Sequence, residues 1–368
     1  MKDSAGSMGL RAYLERSRDL VLRGEARRFV LGNEAADLDS MVSAVACGYL
    51  LSGLAPDDAP PFAPLVNTPR ADFKLRTEAV FLFASLGLGP EHLSFVDDLD
   101  LGALQAGGGL ELVLVDHNVP AASQAALAGA VTGIIDHHAD EGAFKDLALR
   151  IIEPVGSAAT LVAERLLGAG ASRVEPGLAE LLLGTILLDT VNLDPQAQRA
   201  TPKDVAVARQ LESICGADRG RLFERLQSEK FNVSALDSAD LLRKDYKAYR
   251  FGSVRCGIAS VLLPLAKWLE KDHALAASLS AFAQARELDL LLVMIAFNDH
   301  GFRRELVVLA PDGSLQGRVL DLLRGSELGL ATMEWPASPS APGIALFSQA
   351  NTAFSRKKLQ PLLQQFLG

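Results

Sequence analysis

The sequence predicts an α/β fold: an N-terminal, mostly parallel sheet with helices on both faces, followed by a smaller C-terminal α+β domain. Three observations carry that prediction. Short apolar runs alternate with helix-length segments through the N-terminal part, as in buried parallel sheets. The pattern changes after the helix that starts at Thr201. The 368 residues also exceed what a single core usually spans.

Taken in order, residues 8–24 intersperse Leu10, Tyr13, Leu14, Leu20 and Val21 with Arg and Glu, an amphipathic helix. Phe29-Val30-Leu31 reads as a strand stopped by Gly32, and the apolar run Met41–Leu51 as a helix opened by Ser40. After the proline-rich break Pro56–Pro64 come a strand to Asn67, a helix over Arg70–Leu86 and a strand over Leu93–Val96. Leu110–Val115 and Val131–Ile135 are further strands, ending in Asp116-His117-Asn118 and Asp136-His137-His138. Ile151–Glu153 ends another, Gly156-Ser157 opens a helix to about Leu167, and a long apolar helix runs from Pro176 to Leu193. Thr201-Pro202 starts a helix, with Thr as cap and Pro in the first turn. The boundaries expected are a first domain at 1–212, a linker at 213–225 and a second domain at 226–368. In the latter, Val254–Leu263, Leu288–Phe297 and Arg303–Leu309 read as strands. Leu265–Arg286, Leu315–Leu323 and the segment after Phe354 read as helices.

Hydrophobic residues at 49% and charged residues at 22% are a soluble, globular balance. A net charge of −9 argues against a nucleic-acid coat and leaves room for an acidic, metal-rich site. Three widely spaced cysteines imply neither a disulfide framework nor a zinc cluster. Residues 1–10 lack the apolar core of a signal peptide, and no uncharged apolar run is long enough to span a bilayer, so a cytoplasmic protein without a membrane partner is expected.

The chemistry concentrates at the strand ends. Asp37 and Asp39 follow the first strand, and two carboxylates this close repel unless a hard divalent cation lies between them. The bland alternative is a solvated loop in which Asp39 or Ser40 caps the helix. Asp116 and the pair His137 and His138 end two consecutive strands and so open at one sheet edge. Asp189 sits among Ile186, Leu187, Leu188 and Val191, where a carboxylate is costly unless metal-bound or ion-paired.

These motifs, together with Pro154–Thr160 and Gly184–Asp194, resemble in order those of the DHH phosphoesterase superfamily. The C-terminal part is similar to the DHH-associated domain of its exopolyphosphatase, prune and family II pyrophosphatase branch, through Lys230-Phe231, Leu242–Asp245 and Ser355–Lys358. The resemblance implies an active site in the cleft between the domains, where Asp37, Asp39, Asp116, His137 and Asp189 hold two divalent cations. Magnesium is the expected ion, with manganese or cobalt as alternatives. Asp116 would bridge the ions, His138 would face the substrate phosphate, and Asp136 would orient the neighbouring histidine. Lys230, Arg356 and Lys357 would clamp the phosphate chain, with Arg243, Lys244 and Lys247 extending that track. Asn33 stands where family II pyrophosphatases have His, and its harder amide oxygen would loosen the first metal site and favour magnesium.

The activity implied is two-metal hydrolysis of the terminal phosphoanhydride of inorganic polyphosphate. The alternatives are an inorganic pyrophosphatase or short-chain polyphosphatase, a cyclic-nucleotide phosphodiesterase of the prune type and a non-catalytic interaction scaffold. Aromatic residues at 6%, with no aromatic-rich basic stretch, weigh against the nucleotide reading. The intact ligand set, and an end at Gly368 without a polar docking arm, weigh against the scaffold.

Overall fold

A computed structural model of the chain describes residues 8–56, 58–334 and 343–368. The chain divides into two compact units after Lys230. The first comprises α1 (Leu10–Leu22), β1 (Arg28–Leu31), α2 (Leu38–Leu54), β2 (Ala63–Val66), α3 (Thr77–Ser85), β3 (Ser94–Phe95), α4 (Leu101–Gly107), β4 (Glu111–Val115), β5 (Val131–Asp136), β6 (Leu149–Ile152), α5 (Ala158–Gly168), α6 (Pro176–Asp189), α7 (Pro202–Cys215) and α8 (Arg219–Lys230). Its six strands lie in the order β3-β2-β1-β4-β5-β6, and every pairing is parallel. The sheet grows one way from β1 and the other way from β4. The loops leaving the carboxyl ends of these two neighbours therefore diverge, and that crevice is where open α/β sheets bind ligands.

Alternation along the strands sorts side chains to two faces. Val30, Val113, Val115 and Ile135 pack with the apolar α2, α5 and α6. Phe29, Leu31, Leu112, Leu114 and Ile134 pack with Val21 at the end of α1 and Leu101 of α4. Both faces are thus buried, as an all-parallel sheet requires. No helix among the described residues is long and apolar enough to cross a membrane.

The second unit comprises α9 (Ser238–Lys244), β7 (Tyr246–Phe251), β8 (Val254–Val261), α10 (Leu265–Lys271), α11 (Leu275–Ala285), β9 (Leu290–Asn298), β10 (Phe302–Leu309), α12 (Gly313–Arg324), β11 (Leu330–Met333), β12 (Ile344–Gln349) and α13 (Arg356–Leu367). Its sheet runs β11-β12-β10-β9-β8-β7, antiparallel except for the β8–β9 pair. Cys256, Ile258, Leu290, Leu292, Leu306 and Val308 pack there with Leu315, Val319 and Leu323 of α12 and with Leu359 and Leu363 of α13.

Several boundaries differ from the expectation. Residues 213–225 hold the end of α7, a short turn and the first half of α8. The helix expected over Arg70–Leu86 begins as a 3₁₀ turn (Arg70–Leu75), broken from α3 at Arg76, which has φ −95° and ψ 70°. The segment Leu265–Arg286 is two helices, because Asp272 accepts hydrogen bonds from the amide of Ala274 and the hydroxyls of Ser238 and Ser278 at the break. The long apolar helix stops at Asp189 rather than Leu193: Val191, Asn192 and Leu193 have φ of 53°, 58° and 59°. Three successive left-handed residues that are not glycine cost about 1–2 kcal/mol each. Hydrogen bonds from the Asn192 amide to the Leu187 carbonyl (2.7 Å) and from the Thr190 hydroxyl to the Ile186 carbonyl (2.6 Å) hold that turn.

Candidate metal centre

The first strand delivers its acids through a tight loop. A Cβ on Gly32 would lie 2.1 Å from the Ser40 hydroxyl, so only glycine lets the loop pack onto the start of α2. Asp37 is exposed and caps α2 by accepting from the Ser40 amide (3.1 Å). Asp39, in the first turn of α2, is buried. One of its oxygens accepts from the amide of Ala158 (2.6 Å), the other from Ala159 (2.8 Å) and from the Ser43 hydroxyl (3.0 Å). The N-terminus of α5 is therefore occupied by Asp39. The Gly156 amide just before it is taken by Asp204 (2.9 Å). Burial, and then Asp37, push the Asp39 carboxyl up, although these amide bonds oppose the shift.

Asp116 ends β4 in a left-handed conformation (φ 62°), a strained geometry that persists only where its surroundings hold it. Its amide donates to the Ile135 carbonyl (3.0 Å), and its carboxylate accepts from Asn33 Nδ2 (2.7 Å). The other oxygen stands 3.3 Å from His137 Nε2. Burial lifts this carboxyl to about 7, with the His137 hydrogen bond opposing. Asn33 Oδ1 is turned back into its own loop, accepting from the amides of Ala35 (2.9 Å) and Ala36 (3.2 Å). The amide oxygen expected at the first metal position is thus engaged by backbone donors, and the side chain braces Asp116 instead.

His137 Nδ1 donates to the Val155 carbonyl (3.0 Å), which fixes the tautomer and turns Nε2 towards Asp116 and Asp39 (3.8 Å). Burial would lower its pKa, but the two carboxylates outweigh that and raise it to about 10. His138 donates Nδ1–H to Asp136 (2.8 Å) and is half-exposed, so its other nitrogen faces outward. Asp136 also accepts from the amides of His137 and His138 and from Asn118 Nδ2 (2.6 Å). Burial raises its pKa, yet these donors outweigh it and leave a net lowering. Asp189 closes α6 where the left-handed turn begins; burial, then Asp39 and Asp37, push its carboxyl well up.

One cavity of about 450 Å³ is lined by Asn33, Asp37, Asp39, Asp116, His137, His138 and Asp189. The structure thereby brings together, from the segments that follow β1, β4 and β5 and from the end of α6, all five expected metal ligands with Asn33 and His138. Asp136 lies directly behind His138. Ligand atoms of Asp116, His137 and His138 fall within 4.8 Å of one another. The donor set fits hard divalent cations: carboxylates that burial drives towards protonation, and one imidazole whose free nitrogen is aimed among them.

The remaining expected residues lie elsewhere. Lys230 ends α8 and is exposed. In the second unit Arg356 and Lys357 begin α13; Lys357 is exposed, while Arg356 is paired with Asp245 (2.6 Å to the carboxylate, 3.0 Å to the carbonyl). Arg243, expected to extend the basic track, is paired with Asp240 (2.6 Å). Two residues that sequence reasoning missed are Arg199, which lines the cavity, and the fully buried Asp204, just past the Thr201-Pro202 helix start. A capping box at Thr201 and Asp204 was the available signal for the latter. Arg199, in a polar loop, gave none.

The chain is similar to known proteins over both of its units. The model of the DHH family N-terminal domain matches residues 27–186, and that of the DHHA2 domain residues 224–366. The exopolyphosphatase PRUNE1 of Homo sapiens is 38% identical over 363 residues, covering 98% of this chain and 78% of that protein. A manganese-dependent inorganic pyrophosphatase of Methanothrix thermoacetophila is 25% identical over 271 residues, 73% of this chain and 80% of that one. A solved Methanococcus jannaschii structure, assigned to the family II inorganic pyrophosphatases, matches the fold with a TM-score of 0.50. Identity there is 21%, over 92% of this chain and 99% of that one.

Proposed function

The chain belongs to the DHH family, with a DHHA2 domain as its second part, and from that premise we propose that it is a metal-dependent exopolyphosphatase. The substrate is the terminal phosphoanhydride of inorganic polyphosphate. The observation that carries this reading is the convergence of four carboxylates and His137 on one cavity beside the outward-facing His138. Its sequence relatives include an exopolyphosphatase over nearly the whole chain and a manganese-dependent pyrophosphatase.

In this reading Asp37, Asp39, Asp116, His137 and Asp189 hold two divalent cations, which supply, when bound, a water of lowered pKa and positive charge for the phosphoryl oxygens. The chain's own residues prepare that chemistry. Val155 holds His137 in one tautomer, and Asn33 and the Ile135 carbonyl hold Asp116 in its strained pose. The α5 amides hold Asp39, whose Ala158-bonded oxygen also stands 3.8 Å from His137 Nε2. Asp136 keeps His138 Nδ1 occupied, so Nε2 meets the phosphoryl group and, when protonated, donates to it. Arg356 and Lys357 bind phosphate oxygens, as does Lys230. Magnesium is the proposed ion: carboxylate oxygens dominate the set, and position 33 is Asn rather than a softer imidazole donor. A cytoplasmic setting fits the free thiols Cys47, Cys215 and Cys256. Pyrophosphate hydrolysis is the second reading, favoured by the pyrophosphatase relative.

The test is phosphate release from pyrophosphate, tripolyphosphate and long polyphosphate, with the opening of cyclic AMP to AMP followed separately, in each of magnesium, manganese and cobalt and with chelator. Chelator-sensitive release from polyphosphate exceeding that from pyrophosphate is expected. Release confined to pyrophosphate selects the second reading, and no release from any substrate overturns both.

A further inference from the structure

Arg199 is the one lysine or arginine among the described residues that line the acidic cavity. Its side chain is exposed and makes no hydrogen bond or ion pair among the described residues. That is unusual for a guanidinium bordering four carboxylates, and the reason lies in how those carboxylates are used. Asp39 is turned into the N-terminus of α5, Asp116 into Asn33 and His137, and Asp37 into its own helix start. Metal binding would engage them further, leaving Arg199 without a protein anion.

The loop that carries Arg199 is fixed. Asp204, fully buried, accepts from the Gly156 amide (2.9 Å), the Thr160 hydroxyl (2.6 Å) and both the amide and the hydroxyl of Thr201 (2.6 Å each). A Cβ on Gly156 would lie 2.6 Å from the Arg199 carbonyl oxygen, so glycine there lets the two loops touch. The backbone of Arg199 is thereby locked against the segment whose Val155 carbonyl orients His137. A buried carboxylate with four donors, spent on holding a polar loop, is an investment in the position of that loop rather than in the core.

We propose that Arg199 binds the phosphoryl oxygens of the substrate group being cleaved. The first unit then contributes a planar, two-pronged cation beside the metal ligands, in addition to Lys230 at the end of α8. The inference rests on the phosphoanhydride reading for its substrate class. The guanidinium fork matches two phosphate oxygens at once, which an ammonium cannot do.

The test uses the full chain loaded with magnesium and the variants Arg199→Gln and Arg199→Lys. Binding of imidodiphosphate, a pyrophosphate analogue with a P–N–P bridge, is measured by calorimetry. Metal binding alone, melting temperature and the kcat and KM for tripolyphosphate are measured alongside. Arg199→Gln is expected to weaken imidodiphosphate binding by about tenfold or more, as loss of a charge-assisted contact does. Arg199→Lys should weaken it less, with metal affinity and melting temperature unchanged in both. Wild-type affinity for imidodiphosphate in Arg199→Gln overturns the assignment. Should that variant melt lower, Arg199→Lys decides, and wild-type affinity in it overturns the assignment equally. A parent protein that binds the analogue through Arg199 yet releases no phosphate from any phosphoanhydride would leave Arg199 an anion contact and sink the hydrolase reading instead.

Discussion

The acidic cavity of the first unit and the cationic residues of the second are built on opposite principles. In the cavity almost every functional atom is held: Asp39 by two helix amides, Asp116 by Asn33, His137 by Val155 and His138 by Asp136. Such a cluster concentrates like charge in a buried place and is unfavourable until a cation enters it. The second unit instead presents Arg356 and Lys357 near the surface on long side chains, with Arg356 resting on Asp245. On the proposed function, the first arrangement is a holder for divalent ions and the second an adaptable grip on phosphate. The contrast teaches that binding of metal and binding of phosphate should fail separately.

The sharpest break comes from Asp116, the carboxylate between Asn33 and His137. Asp116→Asn is expected to reduce phosphate release by more than about a hundredfold and to abolish most of the metal-induced rise in melting temperature. Both losses should occur together, because one group serves both. Near-normal turnover at saturating magnesium would remove Asp116 from the centre. Asp189→Asn should cost similar activity yet raise the melting temperature of the metal-free protein at alkaline pH, where the buried carboxyl would otherwise have to give up its proton.

On the other side of the comparison, Arg356→Lys keeps the charge and loses the fork. Turnover of tripolyphosphate and of long polyphosphate should fall alike, by about tenfold, with metal affinity intact. A fall in metal affinity of the same size would erase the distinction between holder and grip.

A smaller effect is expected at Asn33. Replacing it with His removes the 2.7 Å bond to Asp116 and offers an imidazole in its place. Affinity for manganese or cobalt should rise relative to magnesium by a few-fold, and pyrophosphate turnover should gain on polyphosphate. Unchanged metal preference and unchanged substrate ratio would confine Asn33 to bracing.

How much of this was legible follows the same division. The acids and histidines were readable because apolar strands end abruptly at them, and the sheet order then carries all such ends to one edge. What the strands could not announce is orientation. The direction of the Asn33 amide depends on two backbone donors in its own loop, and that of Asp39 on amides more than a hundred positions away. In the second unit β7 and β11 were missed because they are the edge strands of their sheet, where Lys247, Arg250 and Ala331 face solvent and leave no apolar alternation. The segment around α8 resembled a linker because only Leu222 and Leu226 of that helix are buried.

The gentlest test of the contrast needs no substitution, only pH and a chelator. Asp116 keeps its proton to about 7 in the folded chain, against an ordinary 3.8. Between those values the folded state therefore holds more protons than the unfolded one, and stability falls as pH rises. Asp39 and Asp189 are shifted in the same direction. His137, raised from 6.5 to about 10, contributes stability that is present below its ordinary value and is lost as pH climbs through the folded one, so its sign is the same. The metal-free protein should therefore melt roughly 3–6 °C lower at about pH 8.5 than at about pH 5.5. Added magnesium should recover the difference, stabilising the protein more at the higher pH because the ligands it needs are then deprotonated. A metal-free melting temperature that rises across this interval would mean that the carboxylates are already compensated within the protein, and the cavity would no longer be a site in want of cations.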